Sequence, residues 1–133
     1  MDRVAIVILN WNGCEMLRRF LPSVVHCSEE EGTAIYVADN GSTDASIQMV
    51  REEFPSVRLI LLKQNYGFAD GYNRALRQVK AEYVVLLNSD VEVTEHWLQP
   101  LTAYMDAHPE VAGCQPKVRS WRDKNRFEYA GAA

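Results

Sequence analysis

Val4-Ala5-Ile6-Val7-Ile8-Leu9-Asn10-Trp11-Asn12 decides the fold. Its first six residues are apolar at odd and even positions alike, so an extended strand here would bury both faces. A strand buried on both sides implies a parallel sheet with helices above and below it. The run then stops abruptly at amides. Three later runs do the same: residues 34–38 lead into Asp39-Asn40-Gly41-Ser42, residues 57–62 into Lys63-Gln64-Asn65, and residues 83–87 into Asn88-Ser89-Asp90. Strands of one parallel sheet all end on the same side, so the four polar clusters are predicted to converge on a single rim. Ligands of open α/β sheets bind in that position. Carboxylates and amides there suit a polar ligand and a hard cation.

Each cluster is followed by a segment with helical periodicity. The first helix is expected over residues 14–26, with Leu17, Phe20, Leu21, Val24 and Val25 on one stripe and Pro22 kinking it or freeing a hydrogen bond. A second helix follows Ser42-Thr43-Asp44, where a hydroxyl can cap free amides and Asp44 suits the positive end of the dipole. Its inner face is expected to be Ile47, Val50 and Phe54, with Pro55 as the stop. A third helix is predicted over 68–80, with Tyr72, Leu76 and Val79 inward. A fourth begins near Thr94, has Trp97, Leu101, Tyr104 and Met105 on its apolar side, and ends at His108-Pro109. Residues 111–116 read as another strand, and the basic stretch 117–126 as a solvated hairpin. The alternation gives one α/β domain over 1–133, with three layers around a mostly parallel sheet.

Composition narrows the function. The chain carries 14 basic and 18 acidic residues, a net charge of −4. Nucleic acid is not an expected partner, because it needs a strong positive field. Cys14, Cys27 and Cys114 are too few and too scattered for a disulfide framework and read as reduced thiols of a cytoplasmic protein. No run approaches the about 18 apolar residues of a membrane span, and the chain opens on a strand, without the pattern of a signal peptide. No G-x-G-x-x-G, P-loop or G-x-S-x-G pattern is present, and His26, His96 and His108 lack metal-ligand spacing.

Asp90 stands at the tip of an apolar strand. Mg²⁺ and Mn²⁺ take oxygen ligands, commonly one or two carboxylates plus substrate phosphates, so Asp90 can hold a metal beside a diphosphate. The structural alternative is a turn former or helix cap. Asp39 can accept from a ligand N–H or hydroxyl, or simply open an Asx-turn in Asp-Asn-Gly-Ser. Asn65 and Gly67 can line a phosphate at a helix start or serve only the turn. Trp11 can stack a base or sugar, or roof the core.

Taken together, Val7-Ile8-Leu9-Asn10-Trp11-Asn12-Gly13, Val37-Ala38-Asp39-Asn40-Gly41-Ser42-Thr43-Asp44, Asn65-Tyr66-Gly67-Phe68-Ala69-Asp70-Gly71-Tyr72-Asn73 and Leu86-Leu87-Asn88-Ser89-Asp90-Val91-Glu92-Val93 resemble, in order and spacing, the motifs of family 2 glycosyltransferases. The resemblance covers essentially the whole chain. Its Asn-Trp-Asn-Gly, Asn-x-Gly-Phe and Leu-Asn-x-Asp details are most similar to the rhamnosyltransferase-like branch. It implies the donor-binding half of a GT-A fold, with a nucleotide-diphosphate sugar as donor, dTDP-rhamnose or a UDP-sugar, and a glycan or lipid-linked acceptor.

By that resemblance Asn10, Trp11, Asp39, Asn65 and Asn88 contact the nucleotide, and Asp90, the last acidic residue of a D-x-D motif, binds Mg²⁺ or Mn²⁺. Asn88 departs from the motif, since many members carry an Asp there and an amide is a poorer ligand. The family's general base and acceptor site lie in the second half of the domain, expected beyond Ala133. Glu128 reads as a hairpin residue. The chain alone is then expected to bind donor without transferring sugar and to self-associate through apolar surface near 111–118. The full-length protein would be cytoplasmic or peripheral at the inner membrane face. A second hypothesis is a non-catalytic nucleotide-binding module. A third is a haloacid-dehalogenase-like phosphatase, because Asp90-Val91-Glu92-Val93-Thr94 echoes D-x-D-x-T, although that motif belongs after an early strand.

Overall fold

The computed structural model describes residues 2–114 and the backbone of 118–119 and 127–129. In chain order the elements are β1 (Asp2–Asn10), α1 (Cys14–Cys27), β2 (Thr33–Asp39), α2 (Ser46–Glu53), β3 (Arg58–Leu61), α3 (Phe68–Leu76), β4 (Ala81–Leu87), α4 (Leu98–Ala107), β5 (Val118–Arg119) and β6 (Phe127–Tyr129). The first four strands form one sheet in the order β3-β2-β1-β4, and every pairing in it is parallel. The expected α/β architecture, a parallel sheet flanked by helices, is what the chain adopts.

The winding follows from handedness. Right-handed crossovers carry the chain outward from β1 to β2 to β3, which puts α1 and α2 on one face. The chain then reverses, and α3 must cross the other face to deliver β4 beside β1. The residue pattern matches. Ala5, Val7, Ala34, Tyr36, Ala38 and Ile60 pack with Tyr72 and Ala75 of α3 in one buried cluster. The alternate residues Val4, Ile6, Ile8, Ile35 and Val37 are buried too, and by strand alternation they face the α1 and α2 side. Three alanines on the α3 face let that helix lie close to the sheet.

Burial on both faces holds for β1 and β2 but not for the outer strands. In β3 only Ile60 is fully buried, and in β4 Val84 and Leu86 are exposed while Leu87 is buried. The strand order explains this, since α3 covers the central strands and leaves one face of edge strand β4 open. An apolar run alone does not distinguish a central strand from an edge strand.

The helices also differ from expectation in detail. α1 continues through Pro22, which is exposed, and ends at Cys27. On α2 the buried residues are Ser46, Met49 and Val50, while Ile47 and Phe54 are only half-buried, Phe54 lying past the helix end at Glu53. α3 ends at Leu76, with Gln78 and Val79 donating to Ala75 and Leu76 in tighter turns. α4 starts at Leu98, not near Thr94, because His96 adopts a left-handed φ of 59°. Tyr104 is exposed and stacks on His108, whose Nδ1 lies 2.8 Å from the Tyr104 carbonyl. Residues 111–114 form no strand, and the rest of the expected 111–116 strand lies outside the described residues. β5 and β6 pair antiparallel, as a hairpin requires.

The chain divides into two units, residues 1–93 with the parallel sheet and residues 94–133 with α4 and the β5–β6 pair. Among the described residues no helix is long and apolar enough to cross a membrane. None of the three cysteines, Cys14, Cys27 and Cys114, forms a disulfide.

The small α3 face yields a prediction. Ala38 is fully buried in that cluster, so Ala38→Leu should overpack it and cost about 1–3 kcal/mol. Urea unfolding should show a lower midpoint with an unchanged slope.

Candidate functional site

All four strand ends lie on one side of the sheet, and the polar clusters after β1, β2 and β3 are tied together. Asn10 and Asp39 are register partners at the ends of β1 and β2. Both are almost fully buried. Asn10 Nδ2 donates to Asp39 Oδ1 (3.0 Å) and to Ser42 Oγ (3.3 Å), and the Ser42 N–H donates to Asp39 Oδ2 (2.8 Å). Asp39 therefore has both oxygens engaged within the fold. Asn10 Oδ1 is buried without a partner. It faces Gly13, where a Cβ would stand 2.6 Å from it, so only glycine lets the loop close over this amide.

The loops ahead of α1 and α2 bond each other. Asn12, at a left-handed φ of 50°, accepts at Oδ1 from the Thr43 N–H (2.7 Å) and the Asp44 N–H (3.2 Å), ahead of α2. Asp44 in turn accepts at Oδ2 from the Cys14 N–H (3.1 Å), the first amide of α1, and at Oδ1 from the Ser46 N–H (2.9 Å) and hydroxyl (2.5 Å). The expected Ser or Thr cap of α2 is thus supplied by Asp44, while Ser42 serves Asn10 and Asn12. Asn40 joins the third cluster: its Nδ2 donates to Asn65 Oδ1 and the Gly67 carbonyl, and its Oδ1 accepts from the Tyr66 N–H. Gly41, at φ 79°, allows this close approach, because a Cβ would lie 2.8 Å from the Gln64 backbone.

The fourth cluster stands apart. The β1–β2 ladder runs to Asn10 and Asp39, but the β1–β4 ladder stops at Ile8 and Leu87. Beyond that rung the strands part, at the point where the strand order reverses. A crevice of about 460 Å³ opens there, lined by Leu9, Gly13, Met16, Phe68, Tyr72, Asn88, Ser89 and Asp90. Its size suits a small organic ligand. One wall is apolar and aromatic, with Phe68 edge-on to Tyr72 at 5.0 Å. The other is the polar tip of β4. At the base, the Tyr72 hydroxyl donates to the Leu87 carbonyl (3.1 Å) and accepts a long contact from the Leu9 N–H (3.5 Å). Burial pushes the Tyr72 phenol above its usual range, so it stays a protonated donor.

The expected site residues therefore divide. Asn88 and Asp90 line the crevice. Trp11 is 55% exposed at the β1 tip. Asn10 and Asp39 are buried in each other's company, and exposed Asn65 is bonded to Asn40 and Gly67. Gly13, Met16, Phe68 and Tyr72 were not among the residues read as site residues. Met16, Phe68 and Tyr72 have the spacing of ordinary helix residues and Gly13 that of a turn, and only the parting of β1 and β4 turns them toward a crevice. Among the described residues no three acidic, His or Cys side chains converge as a metal cluster, and Asp90 is the one carboxylate among the residues lining the crevice.

The fold is an open α/β domain with a crevice at its strand-order reversal. Residues 5–130 match the family model described as glycosyl transferase family 2, and the chain belongs to that family. It is 26% identical over 129 residues to the N-acetylglucosaminyl-diphospho-decaprenol L-rhamnosyltransferase of Mycobacterium tuberculosis, covering 89% of this chain and 42% of that protein. It is also 26% identical over 126 residues to the undecaprenyl-phosphate 4-deoxy-4-formamido-L-arabinose transferase of Edwardsiella ictaluri, covering 89% and 39%. The fold matches a mannosyltransferase from Pyrobaculum calidifontis in complex with GDP-Man and Mn²⁺, with a TM-score of 0.71, 21% identity, and 92% and 37% of the two chains covered. It also matches residues 1–349 of S. aureus TarS in complex with UDP-GlcNAc, with a TM-score of 0.70, 22% identity, and 80% and 32% covered. The chain spans well under half the length of these relatives.

Asp44 gives the site's pH prediction. Burial raises its pKa, but hydrogen bonds from the Ser46 hydroxyl and amide and the Cys14 amide outweigh that and hold it below the ordinary 3.8. A depressed folded pKa contributes stability that is present above the unfolded value and lost as pH falls through the folded one. Asp44→Ala should lower Tm at neutral pH, and the gap to wild type should narrow as pH drops below about 4. Thermal scans across pH check this.

Proposed function

We propose that this chain is the donor-binding part of an inverting glycosyltransferase that takes a nucleotide-diphosphate sugar and serves a glycan or lipid-linked acceptor. The observation that carries the reading is the crevice at the parting of β1 and β4, with Asn88, Ser89 and Asp90 on one wall. Family membership supports the reaction class. The nucleoside lies against the β1 tip, where exposed Trp11 stacks on the base. Asp39 contacts the base, which requires its carboxylate, buried with Asn10 and Ser42, to be uncovered on donor binding, and Asn65 borders the same loop. The diphosphate lies across the crevice toward Asn88 and Asp90.

A divalent ion is compatible with this donor set. Mg²⁺ is commonly held by one or two carboxylates plus substrate phosphates and water, so Asp90 is a sufficient protein ligand once a diphosphate is present, with Asn88 bonding a metal-bound water or the ribose. Bound there, Mg²⁺ or Mn²⁺ would neutralise charge on the leaving diphosphate. In the transfer, a general base takes the acceptor hydroxyl proton, the acceptor oxygen bonds to the anomeric carbon, and the bond to the diphosphate breaks with its electron pair leaving on phosphate. The base is assigned to chain beyond Ala133. Glu128 lies in β6, outside the residues whose side chains are described.

For the donor, a dTDP-6-deoxyhexose such as dTDP-rhamnose or a UDP-sugar fits. The Leu9, Met16 and Phe68 wall favours an apolar substituent, and the rhamnosyltransferase relative points the same way. The second reading, a nucleotide-binding module without turnover, is favoured by the absence of a second carboxylate among the crevice-lining residues.

Calorimetry with UDP, dTDP and GDP, with and without Mn²⁺, tests the site. Asp90→Ala should abolish the metal enhancement and leave metal-free binding intact. Trp11→Ala should weaken metal-free binding about tenfold, since stacking on an aromatic side chain contributes about 1–3 kcal/mol. Equal metal enhancement in wild type and Asp90→Ala would remove Asp90 from the site.

Turnover is tested separately. This chain should bind donor yet transfer no sugar to a lipid-linked or oligosaccharide acceptor, because general-base help is worth about 10²–10⁴-fold and acceptor positioning adds more. Transfer by residues 1–133 alone would place the base within them.

A further inference from the structure

We propose that Tyr72 is a positioning residue: its hydroxyl sets the spacing between the β1 and β4 tips, and so governs how the Asp90 wall meets the diphosphate of a nucleotide seated on the β1 tip. This inference rests on the donor-binding reading above.

The geometry is specific. On the β2 side, β1 stays zipped to its end and beyond, with the Asn40 N–H donating to the Asn10 carbonyl at 2.8 Å. On the β4 side the ladder stops at Ile8 and Leu87. The next link between these strands is not a backbone rung but the Tyr72 hydroxyl, inserted from α3 between the Leu87 carbonyl and the Leu9 N–H. A single O–H group does both jobs, since it donates one hydrogen and accepts one.

The side chain is held firmly. Tyr72 is 4% exposed, and its ring packs in the α3 cluster and against Phe68. The hydroxyl is therefore a spacer fixed by the core. Leu87 is followed directly by Asn88-Ser89-Asp90, and Leu9 directly by Asn10-Trp11. Each residue that Tyr72 grips is one peptide away from a wall of the site. A ligand bridging the two walls needs their separation fixed, because a displacement of about 1 Å can forfeit a charge-assisted contact.

Tyr72→Phe keeps the ring and removes the spacer. In wild type, Mn²⁺ should tighten UDP or dTDP binding. In Tyr72→Phe that enhancement should fall about fivefold or more, a ratio equivalent to about 1 kcal/mol, while nucleotide affinity without metal changes little. Tyr36→Phe is the control for hydroxyl loss as such. Tyr36 is also buried, and its hydroxyl accepts from Arg58 at 3.0 Å where β3 begins, away from the rim. It should lose stability but keep the full metal enhancement.

The outcomes separate cleanly. No nucleotide binding by wild type would overturn the donor-binding reading itself. Binding by wild type with equal metal enhancement in Tyr72→Phe would overturn only the role of Tyr72. Equal losses in Tyr72→Phe and Tyr36→Phe would overturn it as well, since the effect would then be general softening. If Tyr72→Phe fails to fold, amide exchange in wild type decides. UDP with Mg²⁺ should slow exchange at Leu9, because a ligand that needs the linked tips must stabilise the link. Unchanged exchange there overturns the proposal.

Discussion

The hydrogen bond from Asn10 to Asp39 is the contact on which the rim depends. It joins the ends of the two central strands at a place almost closed to water. A buried carboxylate without donors is costly, and so is a buried amide without an acceptor. Here the Asn10 amide N–H meets Asp39, the Ser42 amide and hydroxyl add two further bonds, and Asn10 Oδ1 is left without a partner. Removing either partner would strand a buried polar group at about 1–3 kcal/mol, a sizeable fraction of a domain's stability. The same bond pins the turn that follows β2, and through it the loops that cap α1 and α2.

From that bond outward the rim divides its polar residues into two groups. Asn12, Asn40 and Asp44 are consumed by folding: their side chains satisfy backbone amides of neighbouring loops and helix starts. Asn88, Ser89 and Asp90 line the crevice instead. The parallel ladder accounts for the division. Where β1, β2 and β3 remain zipped past their ends, loops lie close and their side chains bond one another. Where β1 and β4 part, a crevice remains between them.

The periodic apolar runs were enough to read the class of the fold, because residues 4–9 cannot be buried on both faces without helices on both sides. Ordered strand-end clusters likewise placed the rim, and Asn88 and Asp90 on it. The sequence overreached at Val84 and Leu86, which read like a buried strand and lie on an exposed edge face. It placed Tyr72 on the inward face of its helix, where it lies, but helical spacing gave no sign that its hydroxyl meets the ends of β1 and β4. It also misplaced the cap of α2, because Asp44 serves two helices at once and a capping motif read locally shows only one.

By itself, then, the sequence determined the strand–helix alternation, the parallel sense of the sheet and the side on which its polar ends gather, since these follow from periodicity and the handedness of crossovers. Tertiary structure alone decided which polar residues are used up and which remain. A hydrogen bond between Cys14 and Asp44, or between Tyr72 and Leu87, depends on where two distant segments come to rest. The spacing of residues along the chain carries no record of that distance.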